Sequence, residues 1–211
     1  MNLNTGIVRF SYLNVWKPRA NKSGKLKYSV CALVMNTQAD DIKIYEEAMF
    51  DALREGILNP KCRFTQQQVD ASISAYKTGP HVTPVIKLPL RDGNHELKIG
   101  KKKGNDWKDL KFFNANSDNQ PGITKPQDGQ AVIITDPLEV YSGCNGRLAV
   151  SFYPYNTEGS MGVAVGLNGL YKVGEGERLD GRINAVDEFS KFAAEDGAVP
   201  GAESSADPFS G

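Results

Sequence analysis

The amino-acid sequence predicts a mainly β fold: a small, strongly curved β-barrel or a sandwich, with one or two helices inserted and a short helix near the C-terminus. At least five short segments alternate between apolar and polar residues, which is the period of a half-buried strand. Turn-forming residues separate these segments, and the 21 glycines and 11 prolines follow no repeat. Many short strands beside few helices favour a barrel or a sandwich over an α/β enzyme.

The predicted strands are bounded by turn signals. The first two flank the polar turn at residues 21–24 and form a hairpin with a long loop. Residues 80–93 contain three prolines and make at best an edge strand, whereas residues 114–129 are rich in turn formers and predict a loop. The predicted strands are residues 5–16, 27–35, 131–135, 147–155 and 162–173.

Two helices are predicted between the second and third strands. The first ends near residue 55, with Asp40 or Asp41 as its N-cap and Gly56 as its stop. The second is shorter and begins with a capping box formed by Thr65 and Gln68. The residues at helical spacing, which we expect to pack on the core, are Ile42, Tyr45, Met49, Ala52, Leu53, Val69, Ile73 and Tyr76.

The formal net charge is zero, but the charges are distributed unevenly. From Asp187 onward there are six acidic residues and one basic residue, whereas the rest of the chain carries 24 basic residues against 19 acidic ones. The chain is therefore a basic body with an acidic end. We expect one domain at residues 1–194, with a helical insertion at about 38–78 and a last short helix that begins at Asn184. Residues 195–211 have too few apolar side chains to fold and predict a disordered acidic tail.

Residues 98–113 hold the densest positive charge in the sequence, with six lysines against two aspartates. Three aromatic residues are interleaved with these lysines: Trp107, Phe112 and Phe113. Lysines neutralise phosphates and rings offer faces on which bases stack, so this pattern indicates nucleic-acid binding. The alternative is a solvated hairpin tip that turns at Gly104 and Asn105, with the three rings buried.

The strand at residues 147–155 offers a second surface that mixes a base with aromatic rings. Leu148, Val150 and Phe152 point toward the core, so the residues between them point outward. The candidate nucleic-acid-binding residues on the two surfaces are Lys101, Lys102, Lys103, Trp107, Lys111, Phe113, Arg147, Tyr153 and Tyr155. For each aromatic residue the alternative is packing in the core or against a neighbouring loop, and the arginine has the alternative of an ion pair.

Other functional classes find little support in the sequence. The three cysteines form no CxxC pair and lie far from both histidines, so we expect free thiols, no metal site and no cofactor. A metal-dependent nuclease would need a cluster of carboxylates, and the nearest candidate is Asp92 with His95 and Glu96. No apolar run is long enough to span a membrane and no signal-peptide pattern is present, so we expect a soluble, intracellular protein that is not an enzyme.

Several segments occur in the order of a known family. Two are long, VYSGCNGRLAVSFYPYN at residues 140–156 and GVAVGLNGLYKVGEGERLDGR at residues 162–182; TGIVRFSYLNVWKP, LPLRDG and FFNANSDNQPG also match. Together they resemble tailed-phage single-stranded DNA-binding proteins. The resemblance implies an OB-fold, a five-stranded Greek-key barrel that binds oligonucleotides across one face, and an acidic C-terminal tail. It also implies a non-catalytic protein that coats and protects single-stranded DNA in phage replication, recombination or repair, in the cytoplasm of a bacterial host.

The same resemblance implies a partner for the tail. Asp207, Pro208 and Phe209 would dock on replication proteins such as a polymerase or a helicase, although two residues follow the phenylalanine here where bacterial counterparts end. The tail could also occupy the basic groove and compete with DNA. Three alternatives stay open: a protein-interaction module, weak binding of duplex DNA, and a homodimer in which one tail reaches the neighbour's groove.

Overall fold

Nine strands and three helices make up the protein in the computed structural model, which describes residues 2–21, 23–157, 159–179 and 181. Strands with one buried and one exposed face follow from the alternation of apolar and polar residues in the sequence. The strands are β1 (Asn2–Asn4), β2 (Val8–Ala20), β3 (Leu26–Met35), β4 (Arg91–Asp92), β5 (Leu110–Ser117), β6 (Gly122–Gln127), β7 (Gln130–Ile133), β8 (Asn145–Thr157) and β9 (Ser160–Gly174). The helices are α1 (Ala39–Leu58), α2 (Gln66–Thr78) and α3 (Gly93–Lys98), and one turn of 3₁₀-helix spans Asn105–Trp107.

Five of the strands pair in a closed ring. β2 pairs with β3, β3 with β5, β5 with β9, β9 with β8, and β8 returns to β2. All these pairings are antiparallel except that of β5 with β9, which is parallel and joins only Ala115 to Val165 and Asn116 to Gly166. This closed order is that of the OB-fold, and it confirms the predicted mainly β class.

The interior of the ring is filled by side chains from every one of its strands. Phe113 packs against Tyr45 of α1 at a centroid distance of 5.5 Å and against Phe152 at 5.9 Å. The predicted inward set of β8, Leu148, Val150 and Phe152, is fully buried, as the alternation requires. The helical stripe of α1 covers this core, and all five of its predicted members are buried.

Of three local predictions about the helices, one is confirmed and two need revision. The capping box of Thr65 and Gln68 is present at α2, but α1 begins after Gln38, so the predicted caps Asp40 and Asp41 lie in its first turn. There their charge complements the helix dipole instead. Gly56 does not stop α1, which continues to Leu58. A Cβ at Gly56 would lie 2.2 Å from the ring of Phe64, so this glycine gives space for the ring.

Two segments adopt structures other than those predicted. Residues 114–129 are not a loop: β5 extends through Ser117, and β6 and β7 form a hairpin on the turn at Asp128 and Gly129, both with positive φ. Residues 98–113 are not a hairpin tip either. Asp92 caps the start of α3 by accepting from the backbone N–H of His95. The chain then ends α3, forms the 3₁₀ turn and enters β5.

The contacts divide the chain into two units, residues 1–180 and 181–211, and the description above concerns the first. The helix predicted from Asn184, the domain boundary at residue 194 and the tail at 195–211 lie outside the described residues. Among the helices that the structure describes, none is long and apolar enough to cross a membrane.

We predict that Gly56→Ala lowers the free energy of unfolding by about 1–3 kcal/mol, because the new methyl group would meet the Phe64 ring. At an open helical position the same change would stabilise by about 1 kcal/mol. Urea denaturation of Gly56→Ala in the wild-type and Phe64→Leu backgrounds separates the two effects. A cost that is equal in both backgrounds would show that the ring is not the cause.

Candidate nucleic-acid interface

The outward face of β3 and β5 carries a row of small side chains. Strand register places Asn14 opposite Ser29, Ser29 opposite Asn116, and Asn116 opposite Gly166. On β8, Ser151 pairs with Gly166 and continues the row. Neighbouring residues such as Ala115 are buried inside the ring, so the row itself points outward. The side chains of this row are polar, and they are short enough to let a flexible ligand lie close to the sheet.

One groove, which we name the lysine groove, lies where β5 and β9 diverge. It encloses about 610 Å³. Four basic side chains line it against two acidic ones, together with two tyrosines. The lining residues that the following argument uses are Tyr76, Lys87, Arg91, Lys101, Lys111, Asn116 and Tyr155.

The charged groups of the lysine groove are held at its walls. The Lys111 Nζ lies 3.3 Å from the Tyr76 hydroxyl and 3.9 Å from Glu46, while the Tyr76 hydroxyl donates to Glu46 at 2.8 Å. Burial and this carboxylate raise the pKa of Tyr76, so its hydroxyl stays protonated and donating. The Lys87 Nζ donates to the Ser160 hydroxyl at 2.9 Å. The groove therefore offers cations at fixed positions.

The tyrosines of β8 lie over glycines of β9: Gly162 is opposite Tyr155, and Gly166 is diagonal to Tyr153, which pairs with Ala164. A Cβ at Gly162 would come within 2.7 Å of the Tyr155 hydroxyl, and one at Gly166 within 3.4 Å of the Tyr153 ring. Tyr155 lines the lysine groove, and Tyr153 is 45% exposed on the same outer face. Their exposed ring surfaces are available for stacking.

A second groove, which we name the hairpin groove, lies beside the β2–β3 hairpin. It encloses about 520 Å³ and is lined by Asn14, Arg19, Ala20, Asn21, Lys27, Ser29 and Asn116. Asn116 lines both grooves, so the two meet on β5. A polymer that followed the row of small side chains would pass from one basic groove to the other.

A separate aromatic cluster covers another part of the outer face of β3 and β5. Trp107 is only 5% exposed and packs edge-on against Phe112 at 4.9 Å, with Cys31, Leu33 and Leu110 beneath. Tyr12, 58% exposed, stacks on Trp107 at 5.9 Å. The Lys102 Nζ lies 3.6 Å from the Trp107 ring centroid. Burial lowers the pKa of Lys102, while the ring faces attract its ammonium group.

Comparison with known proteins identifies the family. Residues 1–199 match the family described as Enterobacter phage Enc34, ssDNA-binding protein. The chain belongs to this family. The resemblance to phage single-stranded DNA-binding proteins that the sequence indicates is thus confirmed. No curated protein matches the chain significantly.

Solved structures of phage proteins share the fold. The single-stranded DNA-binding protein from bacteriophage Enc34 in complex with ssDNA has a TM-score of 0.57 at 17% identity, over 84% of this chain and 89% of that chain. Another structure of the Enc34 protein gives 0.55 at 17% identity over 89% of each chain. The single-stranded DNA-binding protein gp2.5 of bacteriophage T7 gives 0.51 at 12% identity, over 86% of this chain and 96% of that one.

The structure brings some of the predicted site residues of this family member together. Lys101, Lys111 and Tyr155 line the lysine groove, and Tyr153 is exposed on the adjoining face. Lys103 is exposed in the turn that follows α3. These five positions remain candidates for contact with nucleic acid.

Four predicted residues occupy other environments. Phe113 is fully buried in the barrel interior, so its assignment to a stacking surface is wrong: no ring face reaches the solvent. Trp107 and Lys102 form the aromatic cluster, where the tryptophan face is covered by the lysine and Tyr12. Arg147 donates to the Thr5 carbonyl at 3.1 Å and lies roughly 20 Å along β8 from Tyr153, at about 3.3 Å per residue.

Sequence reasoning missed several residues that the fold places on this face. Tyr12 belongs to the first predicted strand, which is β2 in the structure. Its positive φ of 46° at a β-bulge turns its side chain out of the alternation. Arg19, Lys25 and Lys27 flank the predicted polar turn and read as ordinary hairpin residues. The five basic residues within residues 17–27, around this one turn, are the signal that could have identified them.

The predicted nuclease candidate has structural contacts. The Asp92 carboxylate accepts from the His95 backbone, and buried Glu96 lies 3.9 Å from Arg91. Within the described part of the chain, no group of three or more His, Cys, Asp or Glu side chains could hold a metal ion. The three cysteines are free and buried, and burial raises the pKa of Cys31 to about 12.

We predict that Lys102→Ala lowers the free energy of unfolding by about 0.5–2 kcal/mol, because it removes a partly desolvated cation from the ring faces. Lys101→Ala is the matched control: its side chain is exposed, and the change should stay within about 0.5 kcal/mol. Urea denaturation measures both. Equal effects of the two substitutions would contradict a structural role for Lys102.

Proposed function

We propose that this protein binds single-stranded DNA with little sequence preference and coats it during phage replication, with recombination and repair as further settings in the host cytoplasm. Membership of the Enc34 family supports this. The observation that carries the proposal is the row of small polar side chains that joins two basic grooves at Asn116. A single strand needs such a continuous path, whereas a compact small-molecule ligand does not.

The two kinds of side chain along this path supply different parts of the affinity. Lys87, Lys101, Lys111, Arg19 and Lys27 offer positive charge to phosphates without reading the bases, so this part falls with rising salt. Tyr153 and Tyr155 offer ring faces, and every base has a face to stack on them. Both contributions tolerate any sequence, which is what coating requires.

The proposal is of a non-catalytic protein. The acidic groups nearest the lysine groove cap a helix or pair with a base, as described above, and Glu46 accepts from Tyr76. They are therefore engaged in holding the walls of the groove. Cleavage of a labelled single strand in the presence of Mg²⁺ would contradict this part of the proposal.

The acidic tail supports a further part of the proposal. Its net charge is negative and that of the rest of the chain is positive, so residues 195–211 should compete with DNA for the basic grooves. The same tail would recruit replication proteins through Asp207, Pro208 and Phe209, an acid beside an apolar anchor.

Fluorescence anisotropy with labelled oligo-dT at two salt concentrations tests the proposed function directly. We expect binding that weakens as salt rises, since phosphate contacts release counterions. Tyr153→Ala and Tyr155→Ala should each cost about 1–3 kcal/mol, roughly 5- to 150-fold in Kd, with the salt dependence unchanged. Tyr171→Ala is the matched control, because Tyr171 pairs with Arg147 at the other end of β8 and β9. Absence of binding at low salt would refute the function, and unchanged affinity in both tyrosine variants would refute the path.

Deletion of residues 195–211 should tighten binding to oligo-dT, because it removes a competing polyanion. The effect should be largest at low salt, where charge is least screened. The anisotropy titration above measures it. If the shortened chain binds with unchanged affinity at low salt, the tail does not compete with DNA.

A further inference from the structure

The carboxylate of Asp118 lies between two lysines of the β2–β3 hairpin. Its Oδ1 accepts from the Lys27 Nζ at 2.7 Å and from the Lys25 Nζ at 3.0 Å. These hydrogen bonds lower the pKa of Asp118, and the same carboxylate raises the pKa of Lys25. Asp118 and Lys25 are therefore charged at neutral pH, and the carboxylate meets both lysines at one place in the fold.

That point adjoins the hairpin groove, which Lys27 lines. Arg19 is opposite Lys27 in the β2–β3 register, and both line the groove. Ser117 pairs with Tyr28, so the next residue, Asp118, is brought to the level of Lys27. Burial, and after it the charge of Asp118, raises the pKa of Tyr153. One acid thus pairs with two lysines, and a third base, Arg19, lies opposite one of them.

Stability gives little reason for this arrangement. The Asp118 side chain is 53% exposed, that of Lys25 is 61% exposed and that of Lys27 is 24% exposed. Ion pairs this exposed to water contribute little to folding, because solvent screens them and ordering two side chains costs entropy. A carboxylate oxygen that accepts from two ammonium groups does, however, have the geometry and the charge of a phosphate oxygen in the same position.

We propose that Arg19, Lys25 and Lys27 form a subsite for a backbone phosphate of single-stranded DNA, and that Asp118 occupies this subsite in the free protein. The phosphate displaces the carboxylate when the strand binds. This inference rests on the proposed function and adds to it a named phosphate position and a competitor built into the fold. The tethered carboxylate weakens binding because the strand must break two charged hydrogen bonds before it makes its own.

The test compares Asp118→Asn with Asp128→Asn by anisotropy titration of the full chain with labelled oligo-dT. Both substitutions remove one negative charge, so they change the overall charge equally. Asp128 is exposed in the β6–β7 turn with a φ of 50°, a conformation that asparagine adopts readily. The difference between the two variants is therefore the local effect of Asp118.

We expect Asp118→Asn to bind oligo-dT about 3- to 10-fold more tightly than Asp128→Asn at low salt. Its salt dependence should be steeper by about 0.7 in the slope of log K against log salt, the value for one more phosphate contact on a single strand. In the Lys25→Gln, Lys27→Gln background the same substitution should have no effect, because the subsite is then lost.

Affinity of Asp118→Asn equal to or weaker than that of Asp128→Asn would overturn the inference, since the carboxylate would then be neutral toward DNA or would position the lysines for it. That result is distinct from failure of the proposed function, in which the wild-type protein itself does not bind oligo-dT. Thermal melting of each variant, with unchanged Tm expected, confirms that the comparison is between folded proteins.

Discussion

The pairing of β3 with β5 determines both the core and the candidate interface. Eight consecutive pairs run from Tyr28 and Ser117 to Met35 and Leu110. Because side chains alternate across a strand, a shift of one residue would bring Asn114 inside the barrel and Phe113 outside. The burial of Phe113 between Tyr45 and Phe152 opposes that shift. The same register that fills the core therefore exposes Asn116 and brings Asp118 to Lys27.

The lysine-rich stretch at residues 98–113 has two roles in the structure: part of it packs on the sheet, and part of it lines the lysine groove. Trp107 and Phe112 cover the apolar outer face formed by Cys31, Leu33 and Leu110, which would otherwise be exposed to water. Lys102 turns back over these rings and fixes the turn that carries Lys101. One lysine of the run thus supports the fold, and its neighbour lines the lysine groove. A run of like charges in sequence need not act as one unit in space.

Local patterns predicted much of this structure. Alternation identified the inward side of β8, and the capping box located the start of α2. The predictions that were wrong concern residues whose environment depends on residues far away in the sequence. Phe113 and Lys111 look equivalent in sequence as parts of a basic–aromatic stretch, yet the ring of one fills the barrel while the other lines a groove. Asp118 lies in a segment predicted to be a loop, and its contacts with Lys25 and Lys27 depend on strand register, which no local pattern reveals.

Internal carboxylates at both grooves change the kind of binding that the interface favours. Glu46 stands near Lys111, and Asp118 stands between Lys25 and Lys27. Each reduces the net positive charge that a phosphate meets, so fewer counterions are released on binding and the salt-dependent part of the affinity shrinks. The stacking proposed for Tyr153 and Tyr155 does not depend on this charge. If the proposed interface is right, the balance of the affinity moves from phosphate contacts toward bases, and we expect it to favour a flexible single strand with accessible base faces over a duplex that offers only its backbone.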